Sequence, residues 1–144
     1  MSFKRTIGFT CGSFDLIHPG HIVMLEDAKA QCGYLIVGLH TDPTIDRPDT
    51  KNKPIQTVEE RLEMLRAISY VDEIILYDTE EDLYNLLKEI KPNIRIIGTD
   101  WQENTSGFTG DDLPIRIYWH QRSHDWSSSE LRKRVYNAEK DKNE

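Results

Sequence analysis

The stretch richest in chemistry is Cys11-Gly12-Ser13-Phe14-Asp15-Leu16-Ile17-His18-Pro19-Gly20-His21. An apolar run, Ile7 to Cys11, leads into it, and a helical pattern leaves it at Pro19. A strand that turns into a helix exposes the helix's first backbone N–H groups and the positive end of its dipole, which together attract an anion. Pro19 suits a first helical turn, and Gly20 lets a phosphate approach the backbone. His18 and His21 are three residues apart, so both imidazoles can lie on one side of that turn. There they could donate hydrogen bonds to phosphate oxygens as charge builds in a transition state. Two other readings stay open on these residues alone. A metal pair would need further ligands, which Cys11 and Cys32 do not supply at any familiar spacing. The alternative is two unrelated surface histidines.

The pattern of the chain says what must position this stretch. Strands are expected at Ile7 to Cys11, Tyr34 to Leu39, Glu73 to Tyr77, Ile94 to Gly98 and Ile115 to Trp119. Helices alternate with them. The first runs from Pro19 to Cys32, with Ile22, Leu25, Ala28 and Cys32 at helical spacing and Gly33 as its stop. Thr57-Val58-Glu59-Glu60 and Thr79-Glu80-Glu81-Asp82 open the second and third, whose inward residues are Leu62, Leu65 and Ile68, then Leu83, Leu86, Leu87 and Ile90. Pro92 ends the third. Ser127-Ser128-Ser129-Glu130 caps the last, expected over Leu131 to Ala138, with a frayed charged tail at 139–144. Such alternation predicts an α/β fold: a doubly wound, parallel, five-stranded sheet with helices on both faces, in a single domain over 1–144. Ligands of such sheets bind beyond the C-terminal ends of the strands. Those ends carry Ser13, Phe14 and Asp15, then Thr41 and Asp42, then Asp78, then Thr99 and Asp100, then Arg122 and Ser123.

Composition excludes several functions. The chain has 144 residues, 18 basic and 25 acidic, for a net charge of −7. Bulk charge of that sign opposes nucleic acid and anionic membranes, so phosphate binding must come from a local cluster. No apolar run approaches the ~20 residues of a membrane span, and the N-terminus has no signal-peptide core. Two cysteines are too few for a disulfide framework. A reduced, cytoplasmic protein is expected.

His18-Pro19-Gly20-His21 resembles the HxGH motif of nucleotidyltransferases, in particular the small cytidylyltransferases, and the resemblance extends along the chain. Ser13-Phe14-Asp15 is similar to the family's T/S-F-D, and Tyr70-Val71-Asp72-Glu73 to its YVDE run. Gly98-Thr99-Asp100-Trp101 is similar to its G-D-D-W, and Arg122 to Ser129 stands in place of its R-T-E-G-I-S-T signature. The whole chain looks most like the glycerol-3-phosphate cytidylyltransferases, with a Rossmann-like fold. The implied reaction joins CTP to a phosphorylated small alcohol and releases pyrophosphate. Mg²⁺ would come with the triphosphate, without a dedicated protein metal site. Catalysis would rest on positioning and cationic donors around the pentacovalent phosphorus. A homodimer is implied by relatives of this size.

The resemblance also implies roles. The backbone of Cys11 to Asp15, Ser13 and Phe14 above all, would line the nucleotide. His18 and His21 would contact the triphosphate beside Gly20. Arg122 with Ser127, Ser128 and Ser129 would hold the β- and γ-phosphates, although Ser127 alone reads as a helix cap. Lys51 would reach the acceptor phosphate and Lys53 the nucleotide, although two lysines in a polar loop are commonly solvated. Arg61 matches an arginine of the family's second helix; otherwise it is an exposed partner of Glu59 or Glu60. Trp101 could shelter the base or belong to the core. Asp15, Asp42 and Asp100 could orient an acceptor hydroxyl, the base or a lysine, or serve as turn residues. Two departures bear on the acceptor and the loop. Ser123-His124-Asp125-Trp126 lacks the signature's glycine, so that backbone must differ or strain, and His124 could add a phosphate ligand. Asp78 to Asp82 is acidic, which suits a helix start or a different acceptor. Two competing functions remain: an ATP-dependent adenylyltransferase of the heptose-phosphate kind, which shares the two histidines, and a nucleotide-binding module without turnover.

Overall fold

A computed structural model describes residues 5–102 and 106–142. The sheet contains β1 (Ile7–Gly12), β2 (Tyr34–His40), β3 (Glu73–Tyr77), β4 (Ile94–Gly98) and β5 (Arg116–His120) in the order β3-β2-β1-β4-β5, every pairing parallel. The chain builds outward from β1 through β2 to β3, then returns to the other side of β1 for β4 and β5. The strand order therefore reverses between β1 and β4, which opens a crevice at their C-terminal ends.

Four helices, α1 (Pro19–Ala30), α2 (Val58–Arg66), α3 (Glu80–Ile90) and α4 (Ser128–Lys142), connect and cover the strands. Side chains alternate along β2. Leu35, Val37 and Leu39 join Leu25, Ala28 and Leu65 in a cluster on the α1 and α2 face. Ile36 joins Phe9, Tyr77, Leu83 and Leu87 on the α3 face. Both faces are thus sealed with apolar residues, as a parallel sheet requires. Among the described residues no helix is long and apolar enough to cross a membrane.

Strands β1 and β2 each run one residue beyond the expected end, to Gly12 and His40, and α4 starts at Ser128; the other boundary differences have local causes. Helix α1 stops at Ala30 because Gln31 N–H bonds back to Ala28 and Cys32 N–H to Lys29, tightening the last turn; Cys32 stays buried. Strand β5 begins at Arg116, one residue late, set by its register of Arg116 on Ile94 and His120 on Gly98. Thr99–Trp101 forms a short 3-10 turn within what reads as loop. Helix α4 runs through Lys142 instead of fraying after Ala138. Strong helix formers continue it, lysines stand in its last turn, and Lys142 pairs with Glu139 at 3.9 Å.

Candidate active site

The β1–α1 connection is held in an uncommon shape. Phe14 (φ 49°) and Leu16 (φ 52°) both take left-handed backbone, which costs a non-glycine residue on the order of 1 kcal/mol and needs enforcement. Enforcement comes from burial of the Phe14 ring, 5.5 Å from that of His21, and from the far loop. Leu16 N–H donates to Gln56 Oε1 at 2.8 Å, while the Asp15 carboxylate accepts Ile55 N–H and Gln56 N–H, both at 2.9 Å. Asp15 is therefore engaged in hanging the 41–56 loop beside the motif, which limits what it can offer nucleotide or acceptor.

His18 is the N-cap of α1. Gly20 N–H donates to His18 Nδ1 at 3.0 Å, and His18 N–H donates to His21 Nδ1 at 3.1 Å. A ring nitrogen that accepts cannot carry the proton, so each neutral imidazole is held as the Nε2–H tautomer. The rings lie 4.0 Å apart at 45°. Burial, then the neighbouring His18, holds His21 down at about 4 against the opposing pull of Asp15. Burial, His124 and Arg122 lower His18 as well. Near pH 7 the pair is neutral, and each ring keeps an Nε2–H free to donate. The cationic groups among the expected site residues are then Arg122, Lys51, Lys53 and Arg61.

The depressed value of His21 has a measurable consequence. The unfolded chain binds its proton near pH 6.5, the native state only near 4, so the unfolded state holds more protons between those values and stability rises with pH across them. Acidification from pH 7 to pH 4 is expected to remove on the order of 3 kcal/mol through this group. Urea midpoints for wild type and His21→Gln check it, the variant showing a flatter decline over pH 6.5 to 4.

Gly20 has a second reason to be glycine. A Cβ there would stand 2.7 Å from Cε1 of both His18 and His124, so two rings close over this one position. The loop that carries His124 ties itself together: an Arg122 Nη2–H donates to Trp126 O, and Trp126 N–H donates to His124 Nδ1 at 3.1 Å. Its described residues include no positive φ, so the backbone dispenses with the signature's glycine by a different path and without strain. Ser127 caps α4 by accepting Glu130 N–H at 3.0 Å. Ser128 Oγ donates to Asp15 O at 3.0 Å, which docks the start of α4 on the β1–α1 loop.

Three hollows meet around these groups. One of about 300 Å³ is lined by His18, His21, Asp100, Arg122, His124 and Ser127. A larger one, about 580 Å³, opens on the α3 side and holds Lys51, Arg47, Arg95, Glu80, His40 and Trp101. Met24 and Gly98 line both. A third, about 230 Å³, lies between Ser13, Phe14, Asp15, Ser129 and Arg132.

The expected site residues divide accordingly. His18, Gly20, His21, Asp100, Arg122, Ser127 and Ser128 converge on one hollow. Cys11, Gly12, Ser13 and Lys51 line the larger one, and so does Trp101, which therefore faces a hollow and is not simply core. Lys53 is exposed and pairs with Asp42 at 3.7 Å. Asp42 Oδ1 closes a turn on Thr44 N–H and Oγ1, which together with Lys53 holds its pKa low. Asp42 and Lys53 thus serve the loop. Arg61 is not an exposed partner of glutamates, and it lines none of the three hollows above. It is 1% exposed and donates to the carbonyls of Gln56, Ser13, His40 and Thr41. The acidic segment also divides: Thr79 and Asp82 cap α3, whereas Glu80 turns into the large hollow against Arg47 Nη2 at 3.0 Å.

Several groups escaped sequence reasoning. Arg95 is the second residue of the otherwise apolar strand β4, and a charge in that run is its signal. Its guanidinium lies 5.3 Å over the Phe108 ring and donates to Thr109 O. His120, also buried, meets Asp27 Oδ2 through Nδ1 at 2.7 Å, while its Nε2 has no hydrogen-bond partner among the described residues. Arg132 lies one α4 turn beyond Ser128, 3.8 Å from Asp15.

Comparison with known proteins agrees with this geometry. A family profile described as cytidylyltransferase-like matches residues 9–134. The bifunctional protein HldE of Caulobacter sp. (strain K31) is 40% identical over 76% of this chain, and that of Nitrobacter hamburgensis is 40% identical over 66%. The chain spans only 22% and 19% of those proteins. The solved lipopolysaccharide core biosynthesis protein from Thermoplasma volcanium GSS1 superposes with a TM-score of 0.64 at 29% identity, over 83% of this chain and 98% of that one. The sheet and a profile match running from β1 into α4 agree, and the chain belongs to the cytidylyltransferase-like family of nucleotidyltransferases.

Proposed function

We propose that the protein transfers an adenylyl group from ATP to a phosphorylated sugar and releases pyrophosphate. The observation that carries the reaction type is the pair of tautomer-locked histidines facing the same hollow as Arg122 and the capped start of α4. The likeness to bifunctional HldE proteins favours the heptose-phosphate adenylyltransferase reading of the sequence, and with it ATP and a sugar acceptor. The larger hollow supports such an acceptor on chemical grounds. Among the described residues it gathers Arg47, Arg95 and Lys51 against one carboxylate, Glu80, in a chain of net charge −7. Nε of Arg47 and of Arg95 are buried donors without hydrogen-bond partners among the described residues, and Glu80, His40 and Thr109 add groups suited to hydroxyls.

In this mechanism an oxygen of the acceptor's phosphate attacks the α-phosphorus in line. The new O–P bond forms as the bond to the β-phosphate oxygen breaks, and pyrophosphate leaves with that electron pair. The attacking monoester has its second pKa near 6, so it is largely ionised at pH 7 and needs no general base. Nε2–H of His18 and His21 hold the non-bridging oxygens, whose charge grows in the transition state. Arg122 and the N–H groups around Ser127 to Ser129 hold the leaving phosphates. Lys51 steers the acceptor phosphate. The donor set suits a metal carried by the nucleotide, since Asp100 is the carboxylate lining this hollow among the described residues. Mg²⁺ brought by ATP would face Asp100 and offset phosphate charge.

CTP with glycerol phosphate is the second reading, supported by Gly98-Thr99-Asp100-Trp101 and its likeness to G-D-D-W. Pyrophosphate release, with ATP or CTP crossed against heptose, hexose and glycerol phosphates, separates them. Turnover with ATP and a sugar phosphate is expected. Turnover with CTP and glycerol phosphate alone would replace the first reading by the second, and nucleotide binding with no product from any pair would reject both.

A further inference from the structure

His124 has no place in the mechanism above, yet it repeats the arrangement of His18 and His21. Its Nδ1 accepts Trp126 N–H at 3.1 Å, so its neutral ring is also held with the proton on Nε2. Its Cε1 lies 2.7 Å from where a Gly20 Cβ would be, the same distance as Cε1 of His18. It lines the hollow with His18, His21 and Arg122, and packs on Trp126 with ring centroids 5.0 Å apart. Three imidazoles from two separate loops therefore meet at one helix start, each fixed by a backbone N–H at Nδ1 and each left with one donor. A surface histidine would need neither the fixed tautomer nor the glycine beneath it. We propose that His124 is a third phosphate donor, whose Nε2–H binds the β- and γ-phosphates of the nucleotide and stabilises the departing pyrophosphate.

The placement selects that end of the triphosphate. His124 stands two residues from Arg122 and three before the α4 cap Ser127, the elements that hold the leaving phosphates. His18 and His21 belong to the turn that addresses the α-phosphorus. As the α–β bridging bond breaks, charge moves onto the pyrophosphate oxygens. A fixed neutral donor there strengthens its bond without transferring a proton, so the step balances as written above.

The inference rests on the nucleotidyltransferase reading, and the experiment keeps the two apart. Inorganic pyrophosphate is added to ¹⁵N-histidine-labelled wild type, and the imidazole nitrogens are followed. ATP without acceptor is then added in the same way, and His124 Nε2 is expected to shift with both probes and His18 with ATP. Steady-state kinetics then compare His124→Phe, which keeps a ring over Gly20 and on Trp126 but has no donor, with His124→Gln, whose amide can supply one. The Phe variant is expected to lose roughly a hundredfold in kcat with little change in KM for the acceptor, and the Gln variant to recover most of it. A silent His124 beside a responding His18 would overturn the proposal, as would a Phe variant with wild-type kcat. Equal losses in Phe and Gln with lowered Tm would reduce His124 to packing. No pyrophosphate from wild type with any substrate pair would reject the functional reading instead, and the NMR titration would still decide whether His124 binds phosphate.

Discussion

His18→Asn is expected to fold with near wild-type stability and to release pyrophosphate at least about a hundredfold more slowly, a loss of about 2.7 kcal/mol in transition-state stabilisation. The reason lies in the two nitrogens of one ring. Nδ1 caps α1 by accepting Gly20 N–H, and Asn, a favoured N-cap, can accept the same bond through its side-chain oxygen. Nε2–H is the donor offered to the phosphate, and the shorter amide does not reach it. The substitution thus removes chemistry while keeping structure. His18→Ala removes both, so its activity loss comes with about 1 kcal/mol of stability from the lost cap. His21→Ala is expected to match the activity loss. Its His18 N–H then lacks a partner, yet the buried ring that resists protonation is gone, so its stability below pH 6 falls less steeply than that of wild type. Steady-state kinetics with urea unfolding on the three variants check this. Near-normal kcat in His18→Asn and His21→Ala together would remove the histidine turn from the mechanism.

The parts of the fold legible in the sequence are those decided locally. The pairs Thr57/Glu60, Thr79/Asp82 and Ser127/Glu130 each close their bonds within three residues, so a reader of the chain sees the whole interaction. His18 and His21 are legible for the same reason. The start of β5 is set by its register on β4, about twenty residues away, and so was read one residue early. Trp101 follows G-x-D in the chain but faces the α3 side, because the direction of a 3-10 turn is fixed by what packs around it. Arg47 and Glu80 meet across 33 residues, and nothing near either one announces the other. The second-loop histidine, His124, was visible as a departure from a motif. Its meaning required the glycine and the two rings that only the fold brings beneath it.

Arg61 shows most sharply how a motif position can carry structure in place of chemistry, and its substitution should be the most damaging to the fold. One guanidinium donates to four carbonyls: Gln56 O at 3.2 Å, Ser13 O at 3.0 Å, and His40 O and Thr41 O at 2.7 Å. These belong to the loop after β1, the end of β2 and both ends of the 41–56 loop. The strand ends that frame the large hollow are therefore tied to α2 through one side chain. Burial lowers its pKa, Asp15 and Asp42 oppose that shift, and a guanidinium keeps its charge throughout. Removing it leaves one buried and three part-buried carbonyls without this donor, each worth about 1–3 kcal/mol where water cannot replace it. Arg61→Met is expected to cost on the order of 4 kcal/mol, a large share of the 5–15 kcal/mol that stabilises an ordinary domain. Arg61→Lys should cost roughly half as much, because an ammonium keeps the charge but cannot match the planar fork. Urea midpoints read both, with m-values unchanged if the native state is otherwise intact. The alternative, a nucleotide ligand, predicts the opposite split: unaltered midpoints and a raised KM for the triphosphate. Finding that split in Arg61→Lys would return Arg61 to the binding site and leave the strand ends to be held by the backbone alone.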